Sequence, residues 1–280
     1  MRDCIVYIRM NQTFPFIVTA LLYASLGLRF WRTHWHNGGQ HPKPASWENF
    51  LLLAPIAIHT ALIYQSLFGA SGFNLGFSNA VSTIAWLTVL IYWTASFRFN
   101  LEGLQALVLP VAAGCVLVPA FFPETHPLPY AELPAFRIHL LISMLAYSLF
   151  SIAALHAMLM ALIERRLHHG SPPLMLANLP PLLTMETLLF RIIGVGFVLL
   201  TLSLASGVLF SEALFGKPMQ LNHKTIFAIL SWCIFAALLG GRNVYGWRGR
   251  TAVLWTLSGF IMLLLAYVGS KFVLEVLLHR

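Results

Sequence analysis

Histidine is the residue type in this chain best suited to chemistry, because a neutral imidazole accepts a proton or binds a metal ion. Two of the 11 histidines stand at the starts of long apolar segments, His139 in AFRIHLLISM and His223 in QLNHKTIFAI. If both segments begin at one face of a membrane, the two imidazoles lie at the same depth. Such a pair can bind a haem iron axially from its two sides. The plain alternative is that each histidine only decorates a helix start.

Two further histidines, His59 and His156, fall inside apolar segments. An ionisable side chain in the middle of a membrane is costly and normally faces the interior of a helix bundle, where it has a partner. His59 is therefore a second candidate, for a second haem or for a polar relay, against a neutral imidazole bonded to a carbonyl or hydroxyl. His156 follows His139 by 17 residues, about 25 Å along a helix, so these two cannot share a ligand.

The remaining histidines and the cysteines give weaker signals. Three histidines cluster in WRTHWHNGGQHPKP, but no cysteine or acidic ligand accompanies them, which argues against a metal site. The three cysteines form no CxxC or CxxCH motif, which argues against a disulfide framework, a zinc site and covalently attached haem. The other histidines are interpreted as loop or headgroup contacts: His34, His36, His41, His126, His168 and His169.

The elements that position these residues follow from the composition. Hydrophobic residues make up 59% of the 280 residues and charged residues 9%, whereas a soluble domain carries about 25% charge. The chain is therefore predicted to be an all-α, polytopic membrane protein, one transmembrane domain over residues 1–280, surrounded by the lipid bilayer and without a nucleic-acid partner. About eight segments approach the length of a spanning helix, which is about 20 apolar residues. They are residues 14–31, 49–69, 79–97, 104–122, 136–163, 187–211, 225–240 and 252–274.

The orientation in the membrane follows from the basic residues of the loops. The loops after odd-numbered segments hold ten Lys and Arg residues, and those after even-numbered segments hold three. Because cytoplasmic loops are enriched in Lys and Arg, the odd-numbered loops are expected in the cytoplasm and both termini outside. His139 and His223 then both lie at the outer face. Residues 1–9 differ from the rest of the chain, and Met10 is an alternative start.

Four stretches, in matching order and spacing, resemble the cytochrome c assembly protein family of the CcsA type. Residues 78–86, SNAVSTIAW, resemble its SNLYESLxF segment, and residues 139–147, HLLISMLAY, resemble its HxxMMxLSY helix. Residues 191–213 resemble its RxIxxGFPLLT segment, and residues 246–260 are similar to its GWRGR…GF segment. The resemblance covers most of the chain after residue 48 and puts His139 at the position of the family's outer haem-ligand histidine.

The chain departs from the family where its synthases keep a tryptophan-rich haem-handling motif, WGxYWxWDPKE. Residues 215–225 read FGKPMQLNHKT here, so that Lys224 matches the lysine of DPKE but the tryptophans and the aspartate are absent. Asn74 replaces a histidine of the family's GHxPLSN segment, and His279 lies about one residue out of register with its last outer histidine. The resemblance therefore implies the smaller YpjD and HemX-type branch rather than a complete haem lyase.

These features together predict an inner-membrane protein that binds or handles haem b near the outer face, with the iron held by His139 and His223. Its role would be cytochrome c assembly or haem homeostasis, with maturation or haem-pathway proteins as partners and no catalytic residue of its own. One alternative is a secondary transporter that uses His59 and His156 as buried polar sites. Another is a non-catalytic membrane scaffold that stabilises or regulates a second complex.

Overall fold

The protein is almost entirely helical in its computed structural model, which describes residues 2–32, 50–69, 72–99, 101, 103–123, 133–168, 181–215 and 222–270. Within these ranges the side chains of residues 2–12, 69, 72, 166–168 and 210–215 are not described. The described residues form the α-helices α1 (Arg2–Phe30), α2 (Leu53–Leu67), α3 (Phe77–Ser96), α4 (Gln105–Phe121), α5 (Pro134–His168), α6 (Leu182–Phe215), α7 (His223–Tyr245) and α8 (Gly249–Leu264). Two-residue strands, β1 (Phe68–Gly69) and β2 (Gly72–Phe73), pair antiparallel between α2 and α3, and a π-helical turn, Leu265–Gly269, extends α8.

Each segment predicted from hydrophobicity coincides with one of these helices. Five helical stretches of the described residues are long and apolar enough to cross a membrane: Thr13–Phe30, Pro134–Arg165, Leu182–Leu209, His223–Tyr245 and Gly249–Gly269. Helices α2 and α4 are apolar but shorter, with 15 and 17 residues. The all-helical class is therefore confirmed, whereas the count of eight spans stays a prediction.

The helices group into two compact units. The first unit comprises Met1–Leu128 with Pro172–Leu179 and contains α1 to α4, and the second comprises Pro129–Ser171 with Pro180–Arg280 and contains α5 to α8. His59 belongs to the first unit, and His139, His156 and His223 belong to the second. The single transmembrane domain over residues 1–280 stays a prediction.

The first unit brings α1 against α4 through small residues. Gly27 lies so close to α4 that a Cβ atom there would meet Cδ of Pro110 at 3.1 Å and Cβ of Leu109 at 3.3 Å. Small residues allow such approach between helix backbones, where dispersion contacts replace the hydrophobic effect as the driving force in a membrane. Helix α2 is joined to α3 by the indole of Trp86, which donates to Oγ1 of Thr60 at 2.9 Å.

The second unit packs around an aromatic pair. The ring of Phe150 on α5 stacks on that of Phe235 on α7, with 4.0 Å between centroids, and both side chains are fully buried. Gly196 on α6 faces Phe150, and Gly259 on α8 faces Phe235. The carbonyl of Gly259 also accepts a hydrogen bond from Ser231 at 2.9 Å. The two glycines leave the space that the stacked rings occupy.

Alanine at position 259 is expected to destabilise the second unit by about 1–3 kcal/mol, the usual cost of overpacking a core. Its Cβ would meet Cζ of Phe235 at 2.8 Å, and this ring cannot move without breaking its stack on Phe150. Thermal unfolding of the purified protein in detergent measures the change. Gly240→Ala is the matched control, because nothing lies within 4 Å of a Cβ there, and equal stability of the two variants would contradict the expectation.

Candidate functional site

The second unit contains a cavity of about 540 Å³ with His139 on its wall. His139, Ser143 and Tyr147 follow one another at four-residue spacing on α5, and all three line the cavity. Residues four apart share one face of an α-helix, so a single stripe of α5 supplies this wall. The stripe lies within HLLISMLAY, one of the segments that carried the family resemblance.

Helix α6 supplies the opposing polar wall and orients the imidazole of His139. Nδ1 of His139 lies 2.8 Å from Oγ of Ser206, and the hydroxyl of Ser206 donates to the carbonyl of Ser203 at 3.0 Å. A neutral imidazole that donates from Nδ1 to Oγ of Ser206 keeps its lone pair on Nε2. A hydrogen bond at one imidazole nitrogen sets the tautomer with which the other nitrogen binds a metal.

Ser143 makes one hydrogen bond within α5 and one contact that ties α5 to α6 beside His139. Oγ of Ser143 donates to the carbonyl of His139 at 2.8 Å and lies 2.6 Å from Oγ of Ser203. Hydroxyls that bond across two helices hold the helices in register where water is scarce. Gly207, one turn beyond Ser203, brings α6 close to the imidazole, because a Cβ there would lie 3.5 Å from Cε1 of His139.

The cavity floor is shaped by the π-helical turn after α8. Ala266 and Tyr267 of this turn line the cavity, as does Leu263 just before it. The hydroxyl of Tyr147 donates to the carbonyl of Leu263 at 2.8 Å, and the rings of Tyr147 and Tyr267 meet edge to face with centroids 6.1 Å apart. Single π-helical turns occur frequently at functional sites, and this one places an aromatic ring on the wall.

The start of α7 completes the wall with polar residues. Asn222 caps the helix, because its Oδ1 accepts from the backbone N–H of Thr225 at 3.1 Å. Asn222, Lys224 and Thr225 line the cavity. His223 is the first residue of α7, is exposed, and is not one of the described residues that line the cavity. The structure therefore brings His139 and Lys224 to one cavity and places His223 beside it.

His59 is engaged on both sides of its ring. It is fully buried on α2, with Nδ1 3.3 Å from Oη of Tyr23 and Nε2 2.9 Å from Oγ of Ser82. A neutral imidazole has one donor and one acceptor nitrogen, and two hydroxyls satisfy both. The arrangement favours the polar role considered for His59, since a haem iron would have to displace one of these bonds.

His156 is buried on α5, and its Nε2 donates to the carbonyl of Met185 on α6 at 3.0 Å. Its Nδ1 has no hydrogen-bond partner among the described residues. The remaining histidines named from the sequence do not enter the geometry. His34, His36, His41, His126, His169 and His279 lie outside the described residues, and the side chain of His168 is not described.

Glu186 on α6 organises the GWRGR segment, and the sequence pattern alone did not reveal this role. Its Oε2 accepts from the backbone N–H of Gly249 at 3.1 Å, and its Oε1 lies 3.7 Å from Arg242 and 3.6 Å from Arg248. Gly246 ends α7 with a φ of 67°, which suits glycine. The segment therefore turns the chain from α7 to α8 around a buried carboxylate.

Fold and cavity together define a polytopic helical membrane protein with a histidine-bearing cavity between helices of its second unit. The model of the family described as "Cytochrome C assembly protein" matches residues 47–278, and the chain belongs to this family. The chain is 30% identical over 209 residues to the inner membrane protein YpjD of Escherichia coli (strain K12), a match that covers 75% of this chain and 78% of that protein.

Matches to the CcsA proteins are shorter. The cytochrome c biogenesis protein CcsA of Prochlorococcus marinus (strain MIT 9515) is 40% identical over 88 residues, 31% of this chain and 28% of that protein. That of Gloeothece citriformis (strain PCC 7424) is 31% identical over 109 residues, 39% of this chain and 33% of that protein. No solved structure matches the chain significantly. The family assignment made from the motifs is confirmed.

Proposed function

We propose that this protein binds b-type haem in the cavity around His139 and serves cytochrome c assembly or haem homeostasis at the bacterial inner membrane. The observation that carries the proposal is the position of His139 on the cavity wall, where its Nδ1 lies 2.8 Å from Oγ of Ser206. The cavity volume of about 540 Å³ lies in the range of small-molecule and cofactor sites. Its apolar wall suits a macrocycle, and Leu200, Leu204, Val208 and Leu263 supply it.

The residues that line the cavity suit the binding of haem. His139 would supply a nitrogen ligand of the kind that haem iron takes, and the helices around it would bury the macrocycle. When bound, haem supplies an iron centre whose potential is tuned by its ligands and burial. His223, exposed at the first position of α7 beside the cavity, is the proposed second ligand on the strength of the sequence pattern. His59 is proposed to hold α1, α2 and α3 together through its two hydroxyl partners.

The placement and partners follow from the family and the loop charges. Membership of the cytochrome c assembly family supports cytochrome c maturation or haem-pathway proteins as partners. The distribution of Lys and Arg supports an orientation with both termini and the His139 cavity at the outer face. Residues 215–225 lack the tryptophans of the synthase motif, which supports a haem-handling protein rather than a haem lyase.

His139→Ala is expected to remove the haem spectrum of the protein, because this variant loses the nitrogen that the cavity presents to the iron. The measurement is the reduced and oxidised spectrum of detergent-purified protein from a haem-replete host, with a pyridine haemochrome assay for haem content. Ser206→Ala is expected to weaken haem binding by about tenfold, within the range found for groups that orient a metal ligand.

The separate variant His223→Ala shows whether position 223 supplies the second ligand. If it does, the protein retains haem through His139 but its spectrum changes to that of another ligand set. His156→Ala serves as a matched histidine control, because His156 lies on the same helix as His139 and outside the cavity lining. Wild-type protein without haem, or unchanged haem in the His139→Ala, His223→Ala double variant, would reject the proposed site.

A further inference from the structure

The cavity around His139 combines apolar and polar walls and carries one kind of charge among its described lining residues. Of the lining residues in the described part of the chain, Lys224 is the one Lys or Arg, and none is Asp or Glu. Lys224 is half-buried in the first turn of α7. Charge–charge attraction strengthens as the surrounding dielectric falls. Such a cavity favours an amphipathic ligand with an anionic group over a neutral or cationic one.

The cation and the imidazole reach the cavity from different helices. His139 stands on α5, and Lys224 stands in the first turn of α7 with Thr225 and Ala228 on the same stretch of wall. A ligand that spans the cavity therefore meets a nitrogen ligand on one helix and a positive charge on another. Haem matches both the nitrogen ligand and the positive charge, because its iron takes a nitrogen ligand while its two propionates are anionic at neutral pH.

We propose that Lys224 binds a propionate of the porphyrin, so that the cavity recognises the carboxylate edge of a tetrapyrrole as well as its metal. The inference deepens the proposed haem function and rests on it for the choice of ligand. The physical cause is a charge-assisted hydrogen bond from the ammonium group to the carboxylate, which is about twice as strong as a neutral one. Carboxylate recognition does not need iron, and the cavity therefore also binds the iron-free macrocycle.

The test uses protoporphyrin IX and its dimethyl ester, which differ in their two carboxylates and contain no iron. Each is titrated by fluorescence into the detergent-purified full-length protein, as wild type, Lys224→Gln and Lys224→Arg. Wild type is expected to bind the diacid about 10 to 100 times more tightly than the ester, the range for a hydrogen bond to a charged group. Lys224→Gln loses most of this preference, and Lys224→Arg keeps a large part of it because it keeps the charge.

Three results would overturn the proposal: equal affinity of wild type for diacid and ester, an equal loss of both affinities in Lys224→Gln, or no binding of protoporphyrin to wild type. A further variant separates this inference from the proposed iron site. In His139→Ala the preference for the diacid persists although the haem spectrum is lost. If the haem spectrum survives in His139→Ala while Lys224 still discriminates diacid from ester, the iron assignment fails and the carboxylate assignment stands.

Discussion

At the proposed haem site, leucine at position 207 is expected to lower haem affinity by roughly a hundredfold, which corresponds to a steric cost of about 3 kcal/mol. Gly207 lines the cavity, and a Cβ there would lie 3.5 Å from Cε1 of His139. A single methyl group makes an ordinary contact at this distance, so Gly207→Ala is expected to bind haem nearly as wild type does. The three further carbon atoms of leucine must enter the space beside the imidazole that the ligand needs.

The measurement is haem affinity by absorbance titration, with thermal stability followed on the same samples. Gly194→Leu is the matched control, because Gly194 lies on the same helix, has nothing within 4 Å of a Cβ, and is outside the cavity lining. Both leucine variants add the same volume to α6, and they differ in what that volume meets. Wild-type affinity in Gly207→Leu would show that the ligand does not occupy the space beside His139.

The helices could be predicted from the sequence because each contains a largely apolar run. This signal is local, and it needs no knowledge of which helix packs on which. Helix α7, for example, begins at Asn222 and His223, where the polar segment meets the apolar run. The count of spanning helices is harder to derive, because α2 and α4 are apolar but shorter than a bilayer requires, and α3, with 20 residues, is not among the five candidate spans.

His139 could be singled out as a candidate from its position in the sequence, whereas its contact with Ser206 could not be predicted. Ser206 lies 67 residues away on α6, and a serine in an apolar helix carries no signal of its own. Its spacing of three from Ser203 is what places both hydroxyls on the face that meets α5. This pairing becomes visible only when the two helices are packed.

The difference between His223 and Lys224 shows a second feature of the site that could not be predicted from the sequence. Successive residues of an α-helix point about 100° apart, because a turn takes 3.6 residues. The sequence shows where α7 begins within one or two residues, which leaves open which of its first side chains faces a neighbour. In the structure Lys224 and Thr225 line the cavity and His223 is exposed. The rotational phase of α7, rather than the residue type, determines which of its first side chains lines the cavity.

Removing the carboxylate of Glu186 is expected to destabilise the second unit by about 3 kcal/mol, because breaking a buried ion pair leaves its partner charged and unpaired. The side chain of Glu186 is 9% exposed, and the guanidinium of Arg242 lies over the ring of Phe190 at 3.8 Å. Nη1 of Arg242 is buried and has no hydrogen-bond partner among the described residues, so Glu186 is the charge that balances it. The backbone N–H of Gly249 also loses its acceptor.

Thermal and denaturant unfolding in detergent of Glu186→Ala measures this loss, with Arg248→Ala as the control for the other ion pair. The side chain of Arg248 is 64% exposed, and an ion pair that solvent screens contributes little to stability. Replacing both Glu186 and Arg242 by leucine is expected to cost less than the sum of the two single replacements, since no charge is then left buried without its partner. Additive costs would show that Glu186 acts through Gly249 alone and that the arginine is balanced elsewhere.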